Sequence, residues 1–135
     1  MSIKLQKTNY SKCSPKLRAR LKKLTLTGEN PDGDMGSTMY RTLECLEAGD
    51  ISAKDVPIVI ARNHNTIMGW SLIAEAHYTM GRRIMMIYVP KRFRRRGIGT
   101  KLARRMSRFK NVYCYPWDEG AKGFYDNFDI KPYWR

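Results

Sequence analysis

At 135 residues, 42% of them apolar and 28% charged, the chain can bury the core of one ordinary domain, and wholesale disorder does not fit. Lys and Arg number 26 against 12 Asp and Glu, a net charge of +14 that draws phosphate or another polyanion without encoding a fold. The longest apolar stretch, residues 56–61, falls far short of the roughly 20 residues of a membrane helix, so no membrane span is expected.

In chain order, residues 3–6 suit a short first strand. Ser14 followed by Pro15 reads as an N-cap and a first-turn proline, opening a basic helix through about residue 24. Residues 28–36, rich in Gly, Asp and Pro, read as a loop. Ser37 then reads as an N-cap, and Met39, Tyr40, Leu43 and Leu46 form a helical stripe that ends at Gly49-Asp50. Residues 57–61 are a short apolar strand. Asn63-His64-Asn65 suits a turn because Asn tolerates left-handed backbone, and residues 67–76 are the returning strand. Gly81 marks another turn before a third strand over 82–89. Its Ile84, Met85, Met86 and Ile87 are apolar on both faces, as in a central strand covered on two sides.

Ile98, Leu102, Met106 and Phe109 recur at helical spacing, so a helix starts near Gly97. Residues 111–115 are β-prone and predict a strand parallel to the preceding one, a β-α-β unit. Asp118 caps a last short helix containing Ala121, Phe124 and Tyr125, and residues 130–134 suit an edge strand. Lys4 and Lys7 precede no apolar run, so no secretory signal is expected. Cys13, Cys45 and Cys114 are odd in number, far apart and without metal-ligand spacing. They read as small apolar side chains in a reducing, cytoplasmic compartment, with no metal centre.

Charge is segregated along the chain. Residues 1–28 hold eight Lys and Arg and no acid, and residues 29–81 hold eight acids against Arg41, Lys54 and Arg62. Residues 82–110 then hold twelve Lys and Arg and no acid. In this segment Lys101, Arg104, Arg105 and Arg108 follow i, i+3, i+4, i+7 spacing, one basic stripe beside the apolar one. A polyanion such as RNA is the expected partner of this stripe; the plainer reading is a solvated face that aids solubility and cofactor capture.

The stretch that carries chemistry is Val89-Pro90-Lys91-Arg92-Phe93-Arg94-Arg95-Arg96-Gly97-Ile98-Gly99-Thr100. A buried strand runs into a basic, glycine-containing loop and then into a helix N-terminus, where unpaired N–H groups and the helix dipole favour an anion. Gly97 and Gly99 let a ligand approach backbone that a Cβ would shield. Arg94-Arg95-Arg96-Gly97-Ile98-Gly99 resembles the pyrophosphate loop of the GNAT superfamily of acetyl-CoA-dependent N-acetyltransferases. A second match follows, in which Asp118, Ala121 and Phe124-Tyr125 keep the spacing of that family's Asn, Ala and Phe-Tyr, with Asp in place of Asn.

The resemblance implies a single GNAT-like α/β domain over residues 1–135, a mixed central sheet flanked by helices, with shortened C-terminal strands. It implies acetyl-CoA as cosubstrate and an amine acceptor that attacks the thioester directly, without a metal. Tyr88 and Val89 would offer backbone groups to the pantetheine arm, and Arg94, Arg95, Arg96, Gly97, Ile98, Gly99 and Thr100 would hold the pyrophosphate. Asp118 would lie near the pantetheine end, and Tyr125 would protonate the departing thiolate; a core aromatic is the plainer reading of Tyr125.

Two departures stand out. Where many members of that family carry a glutamate base, fourteen residues before the first loop glycine, this chain has Arg83, which cannot act as a base. Glu75 or His77 on the preceding strand are the substitutes: a hairpin centred on Met80 would face His77 to Arg83 and Glu75 to Met85. A missing glutamate favours an α-amine, which titrates near 8, over a Lys side chain above 10. The short C-terminal region implies an open cleft or one completed by a second copy in a homodimer. The acceptor classes are a protein amine, an aminoacyl-tRNA, and a small polyamine or aminoglycoside drawn by Glu29, Asp32 and Asp34. A non-catalytic nucleic-acid-binding module on the same scaffold is the alternative outside enzymes.

Overall fold

Alternation of apolar side chains along three consecutive strands makes a sheet with two buried faces, and the chain supplies a pair of helices for each. The computed structural model describes residues 2–26, 35–75, 82–114 and 119–132. Its elements, in order, are β1 (Lys4–Asn9), α1 (Pro15–Thr25), α2 (Met35–Ala48), β2 (Pro57–Asn63), β3 (Thr66–Glu75), β4 (Arg83–Tyr88), α3 (Ile98–Met106), β5 (Val112–Cys114), α4 (Glu119–Asp126) and β6 (Lys131–Pro132). The strands lie side by side in sequence order, antiparallel from β1 to β4, with β5 and β6 added parallel. This is the mixed α/β sheet expected from the sequence.

Ile58 and Ile60 of β2 and Ile84 and Met86 of β4 face Leu21 of α1 and Met39, Leu43 and Leu46 of α2. The alternate residues Val59, Ala61 and Met85 face Ile98, Leu102 and Met106 of α3 and Tyr125 of α4. β4 is therefore covered twice, as its unbroken apolar run predicts. The helix starts follow local chemistry: Ser14 Oγ accepts the Leu17 N–H at 3.1 Å, with Pro15 in the first turn. Such a cap contributes about 1 kcal/mol.

Several expectations need correction. α2 begins at Met35, so Ser37 lies inside the helix and is not its N-cap. In the β2–β3 turn the left-handed residue is His64, with φ 56°, and not either flanking Asn. Glu75 pairs with Arg83, and Ile73 with Met85, a shift of two residues from the hairpin inferred above. Two residues is one full period of a strand, so the faces stay the same while every cross-strand partner changes. α3 stops at Met106, which leaves Arg108 and Phe109 in the turn beyond it; Phe109 still packs on the core. The turns around residues 28–34 and Gly81 lie outside the described residues. Among the described residues no helix is long and apolar enough to cross a membrane.

Gly69 sets how closely β3, the end of β4 and the start of α3 can approach. A Cβ there would sit 3.0 Å from the Tyr88 carbonyl oxygen, 3.1 Å from Val89 Cγ2 and 3.2 Å from Ile98 Cγ2. The first of these is backbone and cannot rotate away. Gly69→Ala is expected to cost about 1–3 kcal/mol through overpacking, read as a lower denaturant midpoint. An unchanged midpoint would mean that β4 and α3 separate here without cost.

Candidate cofactor-binding and catalytic site

After β4 the chain passes Pro90, makes one tight 3-10 turn over Lys91–Phe93 and reaches Gly97, the N-cap of α3. Two residues in this passage are left-handed, Arg95 with φ 64° and Gly97 with φ 79°. Arg94, before Arg95, is extended, and Gly97 leads directly into the helical Ile98, so the chain turns sharply into α3. Gly97 has no side chain to cap the helix, and the first bond along α3 runs from Lys101 N–H to the Gly97 carbonyl at 3.1 Å. The N–H groups of Ile98, Gly99 and Thr100 precede that bond and have no partner within the helix. Ile98, 1% exposed, anchors the helix start to the core, so these donors are held in place.

The two glycines differ in why they are glycines. Gly97 needs its left-handed backbone, which a side chain disfavours by about 1–2 kcal/mol. Gly99 is helical, and a Cβ there would meet only Phe124 Cζ at 3.8 Å, ordinary contact. Nothing in the protein forbids a side chain at Gly99, so the open space above it fits a ligand lying on the first turn.

The arginines of the loop are exposed, and several are tied down locally. Arg94 Nε donates to the Val89 carbonyl at 2.9 Å, bracing the loop against the end of β4. The Val89 carbonyl, expected to face a pantetheine arm, thus already serves the loop itself. Arg92 and Arg96 lie over the Phe93 ring, at 4.6 and 5.7 Å from its centroid.

β4 pairs with β3 along its whole length, and its described pairing with β5 runs from Arg83↔Val112 to Met85↔Cys114. Tyr125, 5% exposed, meets Phe124 edge-on with centroids 5.3 Å apart. Burial, with the nearby Cys114 adding to it, pushes the Tyr125 hydroxyl above its ordinary range, so it stays protonated.

At the other end of the hairpin, Glu75 is exposed and stands opposite Arg83. It lies five residues along β3 from Trp70, the partner of Tyr88, or about 17 Å at the rise of a strand. Arg83 is occupied with structure: its guanidinium donates to the Asp55 carbonyl at 3.1 Å and lies 3.7 Å from the Asp55 carboxylate. Asp55, Glu75 and Arg83 line a cavity of about 320 Å³ together with Ser52 and Lys54. The 28-residue separation of Arg83 and Asp55 left no signal in the sequence, whereas Gly69, inside a strand pattern, was a readable mark of close approach that the motif reading passed over. His77 and Asp118 lie outside the described residues. Among the described residues no cluster of side chains suits a metal ion.

A sheet whose central strand ends in an uncapped, glycine-bearing helix start defines a protein that binds a phosphorylated ligand against backbone. A family model described as acetyltransferase (GNAT) family matches residues 25–128. The chain belongs to this family, whose cosubstrate is acetyl-CoA. No curated protein matches it. Among solved structures it is similar to a GNAT-family protein from Desulfovibrio desulfuricans, with TM-score 0.63 and 13% identity over 94% of this chain and 84% of that one. It is also similar to the aminoglycoside N-acetyltransferase AAC(6')-Iy in complex with CoA, with TM-score 0.57 and 12% identity over 96% and 88%. A third is a protein from Clostridium acetobutylicum solved with acetyl-CoA, with TM-score 0.54 and 17% identity over 96% and 90%.

Two predictions follow from this geometry. Gly99→Ala should leave stability level or slightly raised, since Ala is the better helix former, yet weaken acetyl-CoA binding tenfold or more; calorimetric titration beside a thermal melt reads both. Equal acetyl-CoA affinity in the variant would show that no ligand lies on that turn. The second concerns Cys114, whose thiol burial raises from 9.0 to about 12. The unfolded chain loses this proton first, so the stabilisation is whole below pH 9 and is lost as pH rises toward 12. Tyr125 adds a loss of the same sign above pH 10. Compared at pH 8 and pH 11, Cys114→Ala should lose less stability than the parent chain.

Proposed function

We propose that this chain moves the acetyl group of acetyl-CoA to a primary amine on a protein or an aminoacyl-tRNA, by direct attack of the amine. The observation that carries the reading is the uncapped start of α3 at Gly97, with three backbone donors that have no partner within the helix. The N–H groups of Ile98, Gly99 and Thr100 hold the pyrophosphate, with Arg94, Arg95 and Arg96 adding a positive rim. Backbone of Tyr88 and Val89 guides the pantetheine arm, and Asp118 is assigned to its far end. Acetyl-CoA, when bound, supplies an activated thioester carbonyl.

Tyr125 holds a proton near the departing sulfur. A hydroxyl raised above its usual value of about 10 is a weaker acid than a thiol near 8.5, so complete transfer runs uphill. Its contribution is a hydrogen bond that strengthens as negative charge develops on sulfur. The base is assigned to Glu75 or His77. With Arg83 turned to Asp55, no glutamate stands at the usual position, and an α-amine, already partly neutral near pH 8, needs the least help. The basic stripe of Lys101, Arg104 and Arg105, continued by Arg108 beyond the helix, has no ion pair among the described residues and favours an acceptor attached to RNA. A small cationic acceptor is disfavoured by a net charge of +14.

Incubation with labelled acetyl-CoA and cell extract, fractionated into protein, RNA and small molecules, names the acceptor by the fraction that takes up label. Label in small molecules alone would replace the macromolecular acceptor with a polyamine or aminoglycoside, and label nowhere would favour the non-catalytic module. On the acceptor so found, Tyr125→Phe should lower kcat on the order of 10²-fold with acetyl-CoA affinity unchanged. A normal rate would return Tyr125 to the core.

A further inference from the structure

A second cluster of cations lies apart from the loop, around the β2–β3 turn. Lys4 of β1 stands directly opposite Arg62 of β2 in the antiparallel ladder. Like charges directly opposite in a sheet are destabilising. Arg20 joins them from α1, its guanidinium donating to the Asn65 carbonyl at 2.6 Å. Arg62 is itself fixed, Nε donating to Gln6 Oε1 at 2.6 Å. Lys4, Arg62 and the turn residues Asn63, His64 and Asn65 line a cavity of about 410 Å³.

The arginines are positioned by a neutral carbonyl and a neutral amide, and among the described residues none of the three cations has an ion-pair partner. The segments that build the cluster, residues 1–28 and 56–74, contain no Asp or Glu. Burial, and then the charge of Arg20, hold the Arg62 guanidinium below its usual range, which marks two cations sharing a site without a counter-ion. Two positioned arginines and the exposed Lys4, with Lys4 and Arg62 on the cavity and Arg20 beside it, are an arrangement that a multiply charged oxyanion relieves, because guanidinium groups bind phosphate through charge-assisted, often bidentate hydrogen bonds. The cluster is built from β1, α1 and the β2–β3 turn and shares no residue with the α3 loop.

We propose that Lys4, Arg20 and Arg62 form a phosphate-binding site distinct from the acetyl-CoA loop, open to a polyphosphate or to the phosphodiester backbone of a nucleic acid. The site does not depend on the transferase reading. The test uses the full chain saturated with acetyl-CoA, so that the α3 loop is filled, and titrates tripolyphosphate and, separately, a short single-stranded RNA at low salt. Arg20→Gln with Arg62→Gln should weaken tripolyphosphate binding tenfold or more, and Lys4→Gln, at an exposed position that threatens folding least, severalfold. Acetyl-CoA affinity should be unchanged in both. Binding of both probes assigns a general phosphate site, and binding of the RNA alone, lost in the same variants, assigns the phosphodiester. Absence of binding by both probes, or tripolyphosphate affinity indifferent to all three substitutions, overturns the proposal. So does an equal loss of tripolyphosphate binding in Arg104→Glu with Arg108→Glu, which would make the attraction diffuse.

Discussion

A strand that is apolar on both faces has to be roofed twice, and β4 imposes that demand on everything around it. Its even residues reach α1 and α2, and its odd residues reach α3 and α4. Antiparallel hairpins can supply its neighbour β3, but a parallel neighbour requires the chain to travel back across the sheet, and α3 is that crossing. The end of β4 is thus followed at once by a helix N-terminus packed against the core. The uncapped helix start is a consequence of this turn in direction, and Gly69 lets the turn be tight by leaving room for the Tyr88 carbonyl and Ile98.

Electrostatics in the molecule divides between backbone and side chains. At the α3 loop the donors that can meet a phosphate are amide groups oriented by the helix, while the arginines beside them brace the structure. Arg94 bonds the Val89 carbonyl, Arg92 and Arg96 stack on Phe93, Arg82 lies over Tyr113 at 5.0 Å, and Arg83 is paired with Asp55. These are weak interactions singly; the Arg83 pair, with Asp55 largely exposed, contributes at most about 1 kcal/mol. Together they account for five of the twelve cations of residues 82–110. Among the described residues, the cations on the outer side of α3 and around the β2–β3 turn have no ion pair.

The second roof also shapes the chemistry available to α4. Tyr125 and Cys114 lie in one apolar cluster, and burial raises both above their ordinary ranges. The thiols of Cys13 and Cys45 are raised for the same reason, so all three behave as small apolar side chains at neutral pH. For Tyr125 the same burial that ties it to the core also keeps its proton in place.

What the sequence determined by itself was local in origin. Ser14-Pro15 announces a helix start, the apolar run of 84–87 a doubly covered strand, and Gly97 before the apolar spacing of 98–106 a second helix start, because caps, period and backbone freedom depend on residues a few positions apart. The tertiary structure decided the rest. The β3–β4 register moved by two residues, a shift that an alternating pattern cannot detect because it leaves each face unchanged. His64, not an asparagine, took the left-handed turn position, and Arg108 fell past the end of its helix. Arg83 found Asp55 across 28 residues, and Lys4 found Arg62 across the β1–β2 ladder. Such pairings are set by how sheet and helices pack as a whole, and no short stretch of sequence carries them.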